Sequence, residues 1–127
     1  MPDMLFTAPR LSRTLALVAA VVTAPAAFAH AHLKNQYPAA NAEITASPQA
    51  LTLNFSEGIE PKFSGVTLTG AQQQSIKTGA VKRNEQDKTQ MLVPLEQTLQ
   101  PGNYTVDWHV VSVDGHKTRG TYTFSVK

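Results

Sequence analysis

A strict two-residue alternation near the C-terminus constrains this chain more than any other feature. Tyr104, Val106, Trp108 and Val110 fall on one side of the repeat, and Thr105, Asp107, His109 and Val111 on the other. Tyr122, Phe124 and Val126 repeat the pattern against Thr121, Thr123 and Ser125. This period, in runs rich in β-branched and aromatic residues, belongs to strands with one face in a core. Asp114 and Gly115 lie between the runs. They are turn residues, because Gly adopts positive φ freely and Asp tolerates the left-handed region. Residues 104–126 therefore read as a hairpin whose loop carries Asp114 and His116. On these residues alone the loop is either a solvated turn or one side of a metal site.

The rest of the chain repeats the theme. Residues 33–37, 50–56, 64–69, 76–82 and 89–95 read as further strands. Leu51, Leu53 and Phe55 face inward on the second of these, and Val66 and Leu68 on the third. Met91, Val93 and Leu95 share a face on the fifth, with Pro94 opposite them. Proline has no N–H for a ladder, so Pro94 suits an edge or a bulge. Residues 41–48 read as irregular and 84–88 as a charged loop. No segment sustains a helical period. Seven short strands with regular turn signals predict an all-β fold, an Ig-like Greek-key sandwich or barrel. Leu99, Pro101, Gly102 and Tyr104 have the spacing of a tyrosine corner, in which the phenol ties back to upstream backbone. Trp108 reads as a core anchor.

The N-terminus has a different character. Arg10 and Arg13 precede an apolar run over residues 15–22, and Ala27 and Ala29 bracket Phe28. This is the pattern of a secretory signal peptide over residues 1–29, with cleavage expected between Ala29 and His30. The apolar run is far shorter than the ~20 residues a membrane-spanning helix needs. With no cysteine there is neither a disulfide nor a thiol for lipid attachment. Residues 30–127 then form one exported domain. In it nine Lys and Arg face eight Asp and Glu with no basic stripe, so nucleic acid is not an expected partner.

All four histidines, His30, His32, His109 and His116, follow the expected cleavage point. Cleavage would make His30 the first residue, with its α-amine and imidazole Nδ1 able to chelate one ion. Both groups shed protons near neutral pH in favour of a metal. Two nitrogens from His30, one from His116 and an oxygen from Asp114 make a nitrogen-rich set that suits Cu(II). A frayed, solvated terminus is the plain alternative for His30. His32 leaves a second copper mode open, through the amine, two amides and the third-position imidazole. His109 points away from the Trp108 face and reads as a surface histidine.

His30 at the processed terminus, the run LTLNFSEGIEPKFSG over 51–65, and PGNYTVDWHVVSVDGHKTRGTYTFSV over 101–126 resemble the CopC copper-resistance family. Within that family the chain is most similar to its YobA-like periplasmic members. The resemblance spans the mature chain. It implies a seven-stranded Greek-key β-barrel or sandwich that binds Cu(II) in the periplasm, one ion per chain. The family's metal ligands fall on His30, Asp114 and His116. It also implies a CopD-like inner-membrane partner. Some members add a methionine-rich Cu(I) loop, but after residue 29 this chain has only Met91, inside a strand.

Three functions compete. The first is a carrier or buffer of Cu(II), not an enzyme. The second is a copper oxidoreductase built on a histidine brace, which needs an open coordination position. The third is a metal-free Ig-like interaction module.

Overall fold

The computed structural model describes residues 30–127. The expected signal peptide over 1–29 lies outside the described residues. Nine strands follow in order: β1 (Leu33–Tyr37), β2 (Glu43–Ile44), β3 (Ala50–Phe55), β4 (Gly65–Thr69), β5 (Ser75–Ile76), β6 (Lys82–Asn84), β7 (Asp87–Pro94), β8 (Gly102–Val111) and β9 (Lys117–Val126). A single 3-10 turn, Pro61–Phe63, separates β3 from β4. Seven of the nine strands have three or more residues, and β2 and β5 have two each.

The strands form two sheets, ordered β1-β3-β7-β6 and β2-β9-β8-β4-β5. Only the β2–β9 pair is parallel. The protein is a β-sandwich, and the alternation seen in the sequence is what fills it. Leu51, Leu53 and Phe55 of β3 and Met91 and Val93 of β7 come from one sheet. They meet Val106, Trp108 and Val110 of β8 and Tyr122, Phe124 and Val126 of β9 from the other. Leu53, Met91 and Val106 have no exposed surface, so truncating such a side chain to Ala costs about 2–5 kcal/mol. Trp108 packs edge-on against Phe55, ring centroids 5.2 Å apart. Its indole lies over Gly120, its partner across the β8–β9 ladder, where a Cβ would sit 2.6 Å from Trp108 Cζ2. Tyr104 stacks on Phe124, and its hydroxyl donates to the Gln100 carbonyl at 2.5 Å, closing the tyrosine corner.

The middle of the chain departs from the sequence reading. The strand expected over 76–82 is two short strands in different sheets, β5 beside β4 and β6 beside β7. The expected charged loop over 84–88 is a tight β6–β7 turn, with the Gln86 N–H donating to Asn84 Oδ1 at 2.9 Å. Strands of two and three residues are too short to show an alternation of their own, so the pattern runs them together. Residues 41–48 contain β2, which pairs with the end of β9. It is held by backbone bonds such as Ser125 N–H to the Ala42 carbonyl at 2.9 Å, and Ile44 packs against the core. Pro94 is the last residue of interior strand β7 and lies beyond the last β6 pair, Lys82 with Leu92. Its missing N–H therefore breaks no ladder bond, and its carbonyl accepts from Gly79 at 2.7 Å.

Candidate metal centre

The loop between β8 and β9 is short and heavily tied. Val111 pairs with Lys117 at its base. The Ser112 N–H donates to the His116 carbonyl at 2.9 Å, and Gly115 N–H to the Ser112 carbonyl at 2.8 Å. Gly115 has φ of 90°, a conformation that glycine adopts without strain. Val113 N–H reaches across to the Gly58 carbonyl at 2.9 Å, fastening the loop to the segment after β3. The side chains on this frame are aimed by one another. The buried Ser112 hydroxyl donates a very short bond to Asp114 Oδ1. Asp114 Oδ2 lies 3.1 Å from His116 Nδ1. The Ser112 bond, followed by the contacts with His116, holds the Asp114 carboxyl down to about 2. With Nδ1 turned to a carboxylate, the neutral His116 ring keeps its lone pair on Nε2. Metal-binding imidazoles are commonly oriented in this way.

The terminal segment is fastened to the same end of the sandwich. Ala31 is only 1 % exposed, and its carbonyl accepts from Thr118 Oγ1 at 3.0 Å. The His32 N–H donates to Ser56 Oγ at 2.8 Å, and Ser56 N–H to the His32 carbonyl at 2.8 Å. These bonds bring His30 onto His116, ring centroids 4.5 Å apart and planes inclined by 62°. His30 Nδ1 is buried with no hydrogen-bond partner. An orphaned lone pair or N–H is costly in a protein interior, and such groups call for an explanation.

All three expected ligand residues therefore stand at one end of the fold, with Asp114 on His116 and His116 against His30. Among the described residues no three His, Asp or Glu side chains are gathered tightly enough to enclose an ion as they stand. Asp114 is closed onto Ser112 and onto His116 Nδ1, so its carboxylate stands on the Nδ1 side of that ring and would have to turn to reach an ion at Nε2. His109 lies elsewhere, on the outer face of β8 with its ring over Gly65, as expected of a surface histidine.

One residue escaped the sequence reading. Glu57 Oε2 is buried without a partner. It sits between Ser56, whose hydroxyl is 3.5 Å from the His30 carbonyl, and Gly58, which is bonded to the 112–116 loop. The available signal was a carboxylate at the abrupt end of an apolar strand.

The CopC domain model matches residues 33–127. The chain belongs to the CopC family. Protein YobA of Escherichia coli (strain K12) is 61% identical over 121 residues, covering 95% of this chain and 98% of that one. The crystal structure of CopC from Methylosinus trichosporium OB3b superposes with a TM-score of 0.72 at 28% identity, covering 77% of this chain and 94% of that chain. PcoC, a methionine-rich copper resistance protein from Escherichia coli, superposes with a TM-score of 0.68 at 37% identity, covering 77% and 99%. The CopC match begins at Leu33, so it takes in the whole sandwich and the Asp114–His116 loop but not His30.

Proposed function

We propose that this chain is exported to the periplasm, cleaved after Ala29, and binds one Cu(II) per chain at His30, Asp114 and His116. It buffers copper or delivers it to a CopD-like inner-membrane protein. The observation that carries the reading is the buried, unpartnered His30 Nδ1 packed against the His116 imidazole. Cleavage would free the amine next to it, completing a chelate. The nitrogen and oxygen donors of this end suit Cu(II). Glu57, with its own orphaned oxygen, is a second carboxylate for the same ion. The copper-resistance name of PcoC agrees with this choice of metal.

The anchored site is preferred over the terminal-peptide mode through His32. That mode needs the Ala31 and His32 amide nitrogens free to lose protons and lie in the metal plane. Here Ala31 is core and the His32 N–H is engaged by Ser56. Met91 is buried in β7, so a thioether Cu(I) site is not part of the proposal. An oxidoreductase would need an open coordination position, which an Asp114 oxygen bound to the ion would take up.

The test is a Cu(II) titration of protein beginning at His30, followed by EPR. One equivalent bound with several nitrogen ligands is expected. No tight binding, or a spectrum unchanged by His116→Ala, would remove the proposal.

A further inference from the structure

Beside the proposed centre runs an open groove of about 760 Å³, lined by Phe63, His109, Val111, Lys117 and Arg119 among others. The 3-10 turn Pro61–Phe63 forms one wall. It is tied to the end of β8 by Glu60 N–H to the Val111 carbonyl at 2.8 Å and Val111 N–H to Ser64 Oγ at 3.2 Å. This fixes Phe63 with 65% of its surface exposed, although the core lies close by. The rim is cationic. Lys62, Lys117 and Arg119 are exposed, and none has an ion-pair partner among the described residues. The nearby acids are occupied: Asp107 accepts the Thr121 hydroxyl at 2.6 Å, and Glu60 lies 3.8 Å from Arg83.

The geometry points to this groove as the docking face for a partner protein that presents an acidic segment carrying one large apolar side chain. An apolar cleft of this size takes such a side chain, and the unpaired cations would meet the acids around it. A second copy of the chain would bring the same cationic rim and be repelled. A membrane surface fits less well. Anchoring to an anionic leaflet takes about four to eight clustered cations, and further along β9 the outward residues are Thr121, Thr123 and Ser125. The Val111–Lys117 pair forms the base of the 112–116 loop, so a docked segment would stand next to the copper donors. That the partner exchanges copper rests on the proposed function; that the groove binds does not.

The experiment uses metal-free protein beginning at His30, and a short peptide of Glu residues flanking one Phe. Amide shifts followed by NMR should map to Phe63, Val111, Thr118 and Arg119. Binding should weaken about tenfold in Phe63→Ser and in the Lys117→Glu, Arg119→Glu double variant, and also with added salt. Phe63→Ser should leave Cu(II) affinity unchanged, which separates this surface from the metal site. A protein that binds the peptide but no copper would sink only the copper reading. Equal binding of a peptide with Lys in place of Glu, scattered shifts, or no binding at millimolar peptide would overturn the groove. Tighter retention on phosphatidylglycerol vesicles than on the peptide would overturn it too, in favour of a membrane.

Discussion

The imidazoles of His30 and His116 meet edge to face with centroids 4.5 Å apart, although they come from opposite ends of the described chain. Nothing in the rings demands this contact. It follows from the bonds that fix Ala31 to Thr118 and His32 to Ser56, and from the closed loop that aims His116. The pair is therefore set by hydroxyls and a carboxylate outside the two rings, and changes to ring chemistry should alter metal binding while sparing the fold.

Retaining a methionine before His30 should show this most clearly. Every side chain is kept, but the His30 nitrogen stays an amide and the chelate is lost. Cu(II) affinity is expected to fall by roughly two orders of magnitude or more, with an unchanged melting temperature for the metal-free protein. Equal affinity in the extended and processed forms, by competition with a calibrated chelator, would contradict the assignment.

Substitutions at the loop should rank in order. His116→Ala removes a ligand and should weaken Cu(II) most. Asp114→Asn keeps an oxygen donor but loses the charge, and should cost less, about 10–100-fold. Glu57→Gln should fall in the same range if its orphaned oxygen serves the metal. His109→Ala and His32→Ala should be nearly silent. EPR on each variant checks the order, and a severe His32 effect with a mild His116 effect would instead favour the terminal-peptide mode.

The Asp114 carboxyl offers a test without metal. It is held down to about 2, chiefly by the Ser112 hydroxyl, from an ordinary 3.8. Because the folded value is depressed, the associated stabilisation of the loop is full above about pH 4 and fades as pH falls through 2. Ser112→Ala should bring the titration back toward 3.8 and move loop loosening to higher pH. Carboxyl carbon shifts read across this range by NMR would show it, and an unmoved midpoint would assign the effect elsewhere.

Gly120 is tested by stability. Any side chain there meets the Trp108 indole, so Gly120→Val should destabilise the sandwich by about 1–3 kcal/mol, the usual cost of overpacking. Urea unfolding followed by far-ultraviolet circular dichroism measures the loss. A compensating Trp108→Leu in the same chain should recover part of it.

Much of this architecture was legible because β3, β7, β8 and β9 are half-buried, and their alternating residues state which face is inside. The tyrosine corner at Tyr104 and the outward His109 were readable for the same reason. Strands β2, β5 and β6 were not, since two or three residues are too few to show an alternation. At the site, Asp114 and His116 announced themselves by spacing on a turn. Their mutual contact did not, because two residues in a loop can point anywhere until Ser112 and Gly58 fix the backbone. Glu57 stayed hidden because its significance is burial, which no short motif encodes.

The bond from Thr118 to the Ala31 carbonyl joins positions 87 residues apart. Thr118 lies near the start of β9, so this seam closes only once the chain has been made that far. A molecule cut ahead of β9 would have a loose end where His30 stands. Under the proposed ligand set, firm copper retention therefore requires that β9 be in place. Fragments would hold the ion no better than any free histidine and would release it to intact neighbours.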